Sequence, residues 1–178
     1  MTMTQDATLT ARSGHWGAEN TRTVSWHDPG PTTNEGLRMA GIDYLRAMLD
    51  GRLPPPPIAN LLQMGLTAVE PGRVTFTCTP DQSTYNPIGA VHGGLVCTLL
   101  DSAAGCAMHS VLAAGRGYTS VEIKVNYLRG VRLDTGRLTA TGTVIKAGAR
   151  VGFTEATVTD DTGTLIASAS STLLIFDL

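Results

Sequence analysis

Between Gly93 and Ala114 the chain carries Leu95, Val96, Leu99, Leu100, Ala103, Ala104, Ala107, Met108, Val111 and Leu112, apolar residues that point in almost every direction of a helix. A helix of that kind has no face to give to water. It must be enclosed by other elements, and the rest of the sequence offers strands for the purpose. Before it, Leu62 to Val69 and Arg73 to Thr79 read as a hairpin turned at Glu70-Pro71-Gly72, with Val74, Phe76 and Cys78 alternating against Thr75, Thr77 and Thr79. After it come four strand-like runs, Thr119 to Leu128, Gly136 to Ala147, Val151 to Thr159 and Thr164 to Phe176. The turn-like stretches between them are short enough for consecutive antiparallel pairing in most cases. The expected order is β-β-α-β-β-β-β, an α+β fold with an antiparallel sheet curled around one long helix.

The main domain begins near Ile58. Residues 1–34 are rich in Thr, Gly and Asn, contain Asp28-Pro29-Gly30-Pro31 and show no sustained periodicity, so a loose arm is expected there. In residues 35–57 a helix is expected from Gly36 to Gly51, carried by Leu37, Ala40, Tyr44, Leu45, Met48 and Leu49, followed by the extended run Pro54-Pro55-Pro56-Pro57. The main domain spans 58–178.

Composition excludes several functions. Thirteen Lys plus Arg against 15 Asp plus Glu give a net charge of −2, scattered along the chain, which is not the basic footprint of a nucleic-acid binder. No window approaches the roughly 18 unbroken apolar residues of a membrane span, and the first twenty residues lack a signal-peptide block, so a cytoplasmic protein is expected. Cys78, Cys97 and Cys106 have no CxxC spacing and read as small apolar residues, not as a disulfide framework or zinc site.

Chemistry concentrates around the apolar helix. Asp101 is the only formally charged side chain between Gly93 and Gly115. A carboxylate there is costly unless it is paired, solvated in a cleft or protonated. It is either a packing device bonded to a neighbouring backbone group or hydroxyl, or a general base or nucleophile. His92-Gly93-Gly94 opens the helix, where bare amides and the positive end of the dipole can meet a developing negative charge; a tight turn into the helix explains the glycines equally well. Other constellations fail. No G-x-S-x-G surrounds Ser102, no H-E-x-x-H is present, and the spacing of His92, Asp101 and His109 cannot set all three around one metal ion.

The segment Asn86-Pro87-Ile88-Gly89-Ala90-Val91-His92-Gly93-Gly94, with Asp101 nine residues after the histidine, resembles the hotdog-fold acyl-CoA thioesterases of the PaaI-like, phenylacetate-degradation branch. Tyr118 to Arg129 resembles the strand that follows the central helix in that family. The resemblance covers residues 58–178 and implies hydrolysis of an acyl-CoA thioester, medium-chain or aromatic, with no metal and no further cofactor. It implies that Asp101 activates water or attacks the thioester, that the Gly93 amide and the Asn86 side chain hold the thioester oxygen, and that His92 orients this loop. Ser120, or Thr119, would place the water. Gly94 would line the substrate site, and Arg129, Lys146 and Arg150 would meet the CoA phosphates. Loop and helix would come from two subunits of a homodimer, paired into a homotetramer. Two alternatives share the fold: a non-catalytic acyl-CoA-binding module and an enoyl-CoA hydratase, the latter needing a different Asp/His arrangement.

Overall fold

The computed structural model describes residues 16–178. Its centre is the helix α4 (Gly93–His109), preceded by three short helices, α1 (Pro29–Gly36), α2 (Gly41–Leu49) and α3 (Pro57–Leu61). The strands are β1 (Met64–Glu70), β2 (Arg73–Cys78), β3 (Arg116–Tyr127), β4 (Leu138–Ala147), β5 (Val151–Thr159) and β6 (Leu165–Asp177). They form one antiparallel sheet in the order β1-β2-β4-β5-β6-β3. Element order and class agree with the sequence expectation. Pairing departs from it in one place: β3 does not lie beside β4 but crosses to the far edge and pairs with β6, while β4 returns to pair with β2. The helix makes that crossing, because a chain that leaves β2 and runs through α4 emerges on the opposite side of the sheet.

Leu99, Leu100, Ala103, Ala107 and Met108 of α4 are fully enclosed, packed against Val74, Leu138, Ala140, Val158 and Leu173 from the concave face of the sheet. Close approach is secured by Gly142 of β4, where a Cβ would overlap the Ala103 carbonyl. The helix stops at His109, five residues short of the expected Ala114. Ser110 is buried, and its Oγ donates to the Ala107 carbonyl at 2.6 Å while accepting the Gly72 amide at 2.8 Å, so it offers the backbone an alternative to another turn.

In β3 a bulge at Val121 breaks the register between Ser120 and Glu122. Tyr118 and Ser120 face α4 before the bulge, and Ile123, Val125 and Tyr127 face it afterwards. Strict alternation would have turned Glu122 and Lys124 inward instead.

The N-terminal region differs from the loose arm expected for 1–34, of which residues 1–15 lie outside the described part. Arg22 is 3.2 Å from the Asp81 carboxylate and donates to the Leu61 carbonyl at 2.7 Å, and the Asn60 amide donates to the Ser25 carbonyl at 2.8 Å. Asp28 caps α1 by accepting the Gly30 amide at 2.9 Å, and Pro29 occupies the first helical position, where its missing N–H costs nothing. The single helix expected from Gly36 to Gly51 is two, α1 ending at Gly36 and α2 starting at Gly41, whose amide donates to the Leu112 carbonyl at 3.0 Å. Pro57 likewise opens α3 instead of extending the connector. α2 buries Leu45 in the core and stacks Tyr44 on His109 near the end of α4, with ring centroids 5.7 Å apart. It therefore sits at the end of α4 remote from His92.

Two consequences can be measured. Thr154 faces α4 from β5, and its Oγ1 is buried with no hydrogen-bond partner among the described residues. Replacing it by Val removes an unpaired polar atom at constant shape, so Thr154→Val is expected to stabilise by about 1 kcal/mol, a rise of roughly 2–4 °C in Tm by calorimetry. His109 lies between Tyr44 and Tyr118, and burial lowers its pKa below 6.5. The folded state then binds fewer protons than the unfolded one, so stability is complete above the ordinary imidazole value and falls as pH drops below it. Urea unfolding between pH 7 and pH 5 should show this acid loss, and His109→Phe should reduce it.

Candidate active site

The loop before α4 is built by Asn86. Its side-chain oxygen accepts the amides of Ile88 and Ala90, both at 3.1 Å, folding 86–90 into a turn that the Tyr85–Val91 bridge closes. With Oδ1 occupied in this way, the Nδ2 end is the one that can reach a ligand. His92 is the N-cap of α4, and its Nδ1 accepts the Gly94 amide at 2.8 Å, which requires the neutral tautomer with its proton on Nε2. The His92 carbonyl takes the Leu95 amide at 3.0 Å. The Gly93 N–H has no acceptor among the described residues, so an amide at the positive end of a 17-residue helix is left available. The tight-turn account of the two glycines and the anion-binding account therefore describe the same geometry. A Cβ on Gly94 would press on the His92 ring at 2.8 Å, so the second glycine is needed for the cap itself.

Asp101 lies two turns further along α4. It is half-buried, and its Oδ1 accepts a 2.8 Å hydrogen bond from Ser120 Oγ on β3. The other carboxylate oxygen has no side-chain partner among the described residues. Thr119 and Ser120 point to opposite faces of β3, since Thr119 pairs with exposed Leu174 and Tyr118 with buried Ile175. Ser120 is thus the one of the pair beside Asp101. Burial raises the pKa of all three cysteines, Cys78 to about 11 and Cys106 to about 12, with Asp101 adding to the rise at Cys97 and Cys106. No thiolate competes with Asp101 at neutral pH.

The expected phosphate-binding residues are not brought together within one chain. Arg129 follows the end of β3, its amide bonded to the Ile166 carbonyl, whereas the Arg150 carbonyl accepts the Ile175 amide. Nine residues of β6 separate those points, about 30 Å of strand. Lys146 sits on the outer face beside Phe153, near Arg150. Tyr127 is a residue the sequence did not single out: its hydroxyl donates to the Gly93 carbonyl at 3.0 Å, and its ring lies against Gly93. Its apolar-polar alternation within β3 was visible, but the bulge that turns it toward α4 was not. Beside His92 opens a groove of about 450 Å³ whose walls include Leu62, Thr84, Tyr85, Leu95 and Thr98. Among the described residues no three His, Cys, Asp or Glu side chains converge as a metal site, and no helix is long and apolar enough to cross a membrane.

Residues 88–167 match the model of the thioesterase superfamily. Human acyl-coenzyme A thioesterase 13 is 31% identical over 108 residues, 60% of this chain and 76% of that protein. Among solved structures, a thioesterase family protein from Silicibacter pomeroyi superposes with a TM-score of 0.67 at 26% identity, covering 75% of this chain and 99% of the other. The PaaI protein of the E. coli phenylacetic acid degradation operon shares the fold, with a TM-score of 0.66 at 19% identity over 78% of this chain and 96% of its own. The chain belongs to the thioesterase superfamily and, within it, to the hotdog-fold, PaaI-like thioester hydrolases.

Proposed function

We propose that the protein hydrolyses acyl-CoA thioesters with medium-chain or aromatic acyl groups, using Asp101 as general base and the Gly93 N–H, with the Asn86 side-chain amide, as the oxyanion donors. The observation that carries this reading is the Asp101 carboxylate, held by Ser120 at 2.8 Å in a helix that has no other charge before its last residue. Ser120 donates to one oxygen, so the other can take a proton from water. The water oxygen adds to the thioester carbonyl carbon, its proton passes to Asp101, and negative charge collects on the carbonyl oxygen at the helix N-terminus. Collapse breaks the carbon–sulfur bond, and the departing CoA thiolate is protonated. A well-aimed amide donor is worth on the order of a hundredfold in such a step. The apolar groove beside His92 falls within the size range of small-ligand sites, which supports an acyl group of modest length. The reading calls for no metal or other cofactor.

A single chain supplies these groups too far apart. Eight helical residues separate Gly93 from Asp101, roughly 12 Å along the axis, whereas both must lie about 3 Å from the reacting centre. The working unit is therefore a homodimer in which Asp101 and Ser120 of one subunit face the Asn86–Gly94 loop of the other. The long edge strand β3 supports this pairing, since its outer backbone groups have no partner strand among the described residues. The exposed residues Val151, Phe153, Leu174 and Phe176 on the outer face of the sheet favour a second pairing into a homotetramer. Arg129, Lys146 and Arg150, split between the two ends of the sheet, would then approach CoA phosphates from different subunits. Three unpaired thiols suit the cytoplasm, and the Asp101–Ser120 pair favours turnover over the binding-module alternative.

Thiol release from short, medium, long and aromatic acyl-CoA esters tests the chemistry. Asp101→Asn is expected to fold normally and lose at least about a hundredfold in kcat. Saturable binding with no turnover in the wild-type protein would establish the binding module instead. Subunit sharing is tested by mixing two inactive variants. Gly93→Pro removes the amide proton at a helix position that accepts proline, and its ring, with a Cβ 3.2 Å from Tyr127, also displaces the same loop, so this half of the site is lost in the variant. Refolded together with Asp101→Asn, it should recover about a quarter of wild-type activity, because half the dimers then hold one intact site of two. No recovery would place the whole site within one subunit.

A further inference from the structure

The peptide between Gly93 and Gly94 is held at both ends. Its oxygen accepts the Tyr127 hydroxyl at 3.0 Å, and its N–H donates to His92 Nδ1 at 2.8 Å. The preceding peptide is held as well, its carbonyl by the Leu95 amide at 3.0 Å, while the His92 amide itself donates to the Thr84 carbonyl at 2.8 Å. Peptide planes are rigid, so fixing the planes on both sides of the Gly93 Cα leaves neither of its dihedrals free. Gly93 is the residue that most needs this restraint, since it lacks a Cβ to limit its own backbone. The Tyr127 ring occupies the space a Cβ would take, 3.2 Å away.

Tyr127 does not reach this position for the sake of burial. It is 53% exposed and sits on the edge strand, directed to α4 by the bulge at Val121. We propose that Tyr127 is a positioning residue for hydrolysis: its hydroxyl pins the Gly93–Gly94 peptide against His92 and thereby aims the Gly93 N–H at the thioester oxygen. The proposal rests on the thioesterase reading for its chemistry, though not for its geometry. A donor gains its value from being in place before charge develops, so loss of the pin should appear in the chemical step more than in substrate binding. Burial and the nearby Cys97 raise the pKa of the hydroxyl, so it remains a donor throughout the working pH range.

The experiment compares wild type, Tyr127→Phe, His92→Gln and the double variant, all as full chains. Tyr127→Phe keeps the ring on Gly93 and removes the hydroxyl alone. Its kcat is expected to fall about tenfold with KM changed less than about twofold, and the double variant should lose little more than the worse single one, because both act on one peptide. Independently of activity, amide exchange at Gly94 measured by NMR should quicken in Tyr127→Phe. An active wild type with an equally active Tyr127→Phe would overturn the proposal, as would a loss confined to KM or losses that multiply in the double variant. If the wild type hydrolyses no ester, the thioesterase reading fails, and unchanged Gly94 exchange in Tyr127→Phe would then overturn the pin itself.

Discussion

Everything in this molecule follows from a helix that cannot face water. Leu99, Leu100, Ala103 and Met108 lie on different sides of α4 and are all fully enclosed, which no single flat layer could achieve. The sheet has to curl around them, and Gly142 lets it come close enough to pack backbone against backbone. Once the helix is enclosed its two ends acquire different uses. The C-terminal end is closed by Ser110, the Gly72 turn and the stacked Tyr44 and His109. The N-terminal end carries glycines and an open amide.

The same enclosure gives Asp101 its character. A carboxylate on a solvated helix would be one charge among many, whereas here the surrounding helix is apolar and the acid has one neighbouring hydroxyl, on the strand beyond it. The proposed donor, the Gly93 N–H, and the proposed base, Asp101, are held by the same rigid rod, at a separation that a single thioester cannot span. In the proposed homodimer two copies meet so that each supplies what the other's site lacks. Under that proposal the catalytic geometry and the oligomeric state are one problem, with β3, at the open edge of the sheet, belonging to both.

Much of this was legible from residue patterns. The all-round apolar stretch gave the central helix, Val74-Thr75-Phe76-Thr77-Cys78 gave a half-buried strand, and the Asn86, His92, Gly93 and Asp101 spacing pointed to the candidate site. What escaped has physical reasons. Helix α1 buries nothing, so it has no periodicity, and Asp28-Pro29 is an N-cap followed by a first-position proline that reads equally well as a turn. The gap between α1 and α2 depends on the Gly41 amide finding Leu112, a partner about seventy residues away. The placement of β3 beside β6 is a property of the crossing helix, not of the strand. Thr119 and Ser120 are chemically alike, and only the register of β3 against β6 separates the one beside Asp101 from the one facing away.

The bulge at Val121 also sets how this chain can change length. Upstream of it, Tyr118 and Ser120 fix the strand to the Cys106–His109 end and to Asp101; downstream, Ile123, Val125 and Tyr127 fix it to the core and to Gly93. One extra residue accommodates both sets on the same face. Losing it would leave either half correctly seated but never both, so a single-codon deletion here would cost Asp101 its Ser120 hydrogen bond or the Gly93 carbonyl its Tyr127 hydrogen bond. Insertions in the 160–164 turn, held by Asp160 at the far end of the sheet, would carry no such consequence. In lineages descended from this chain, gaps should accumulate in that turn and be absent between Ser120 and Ile123.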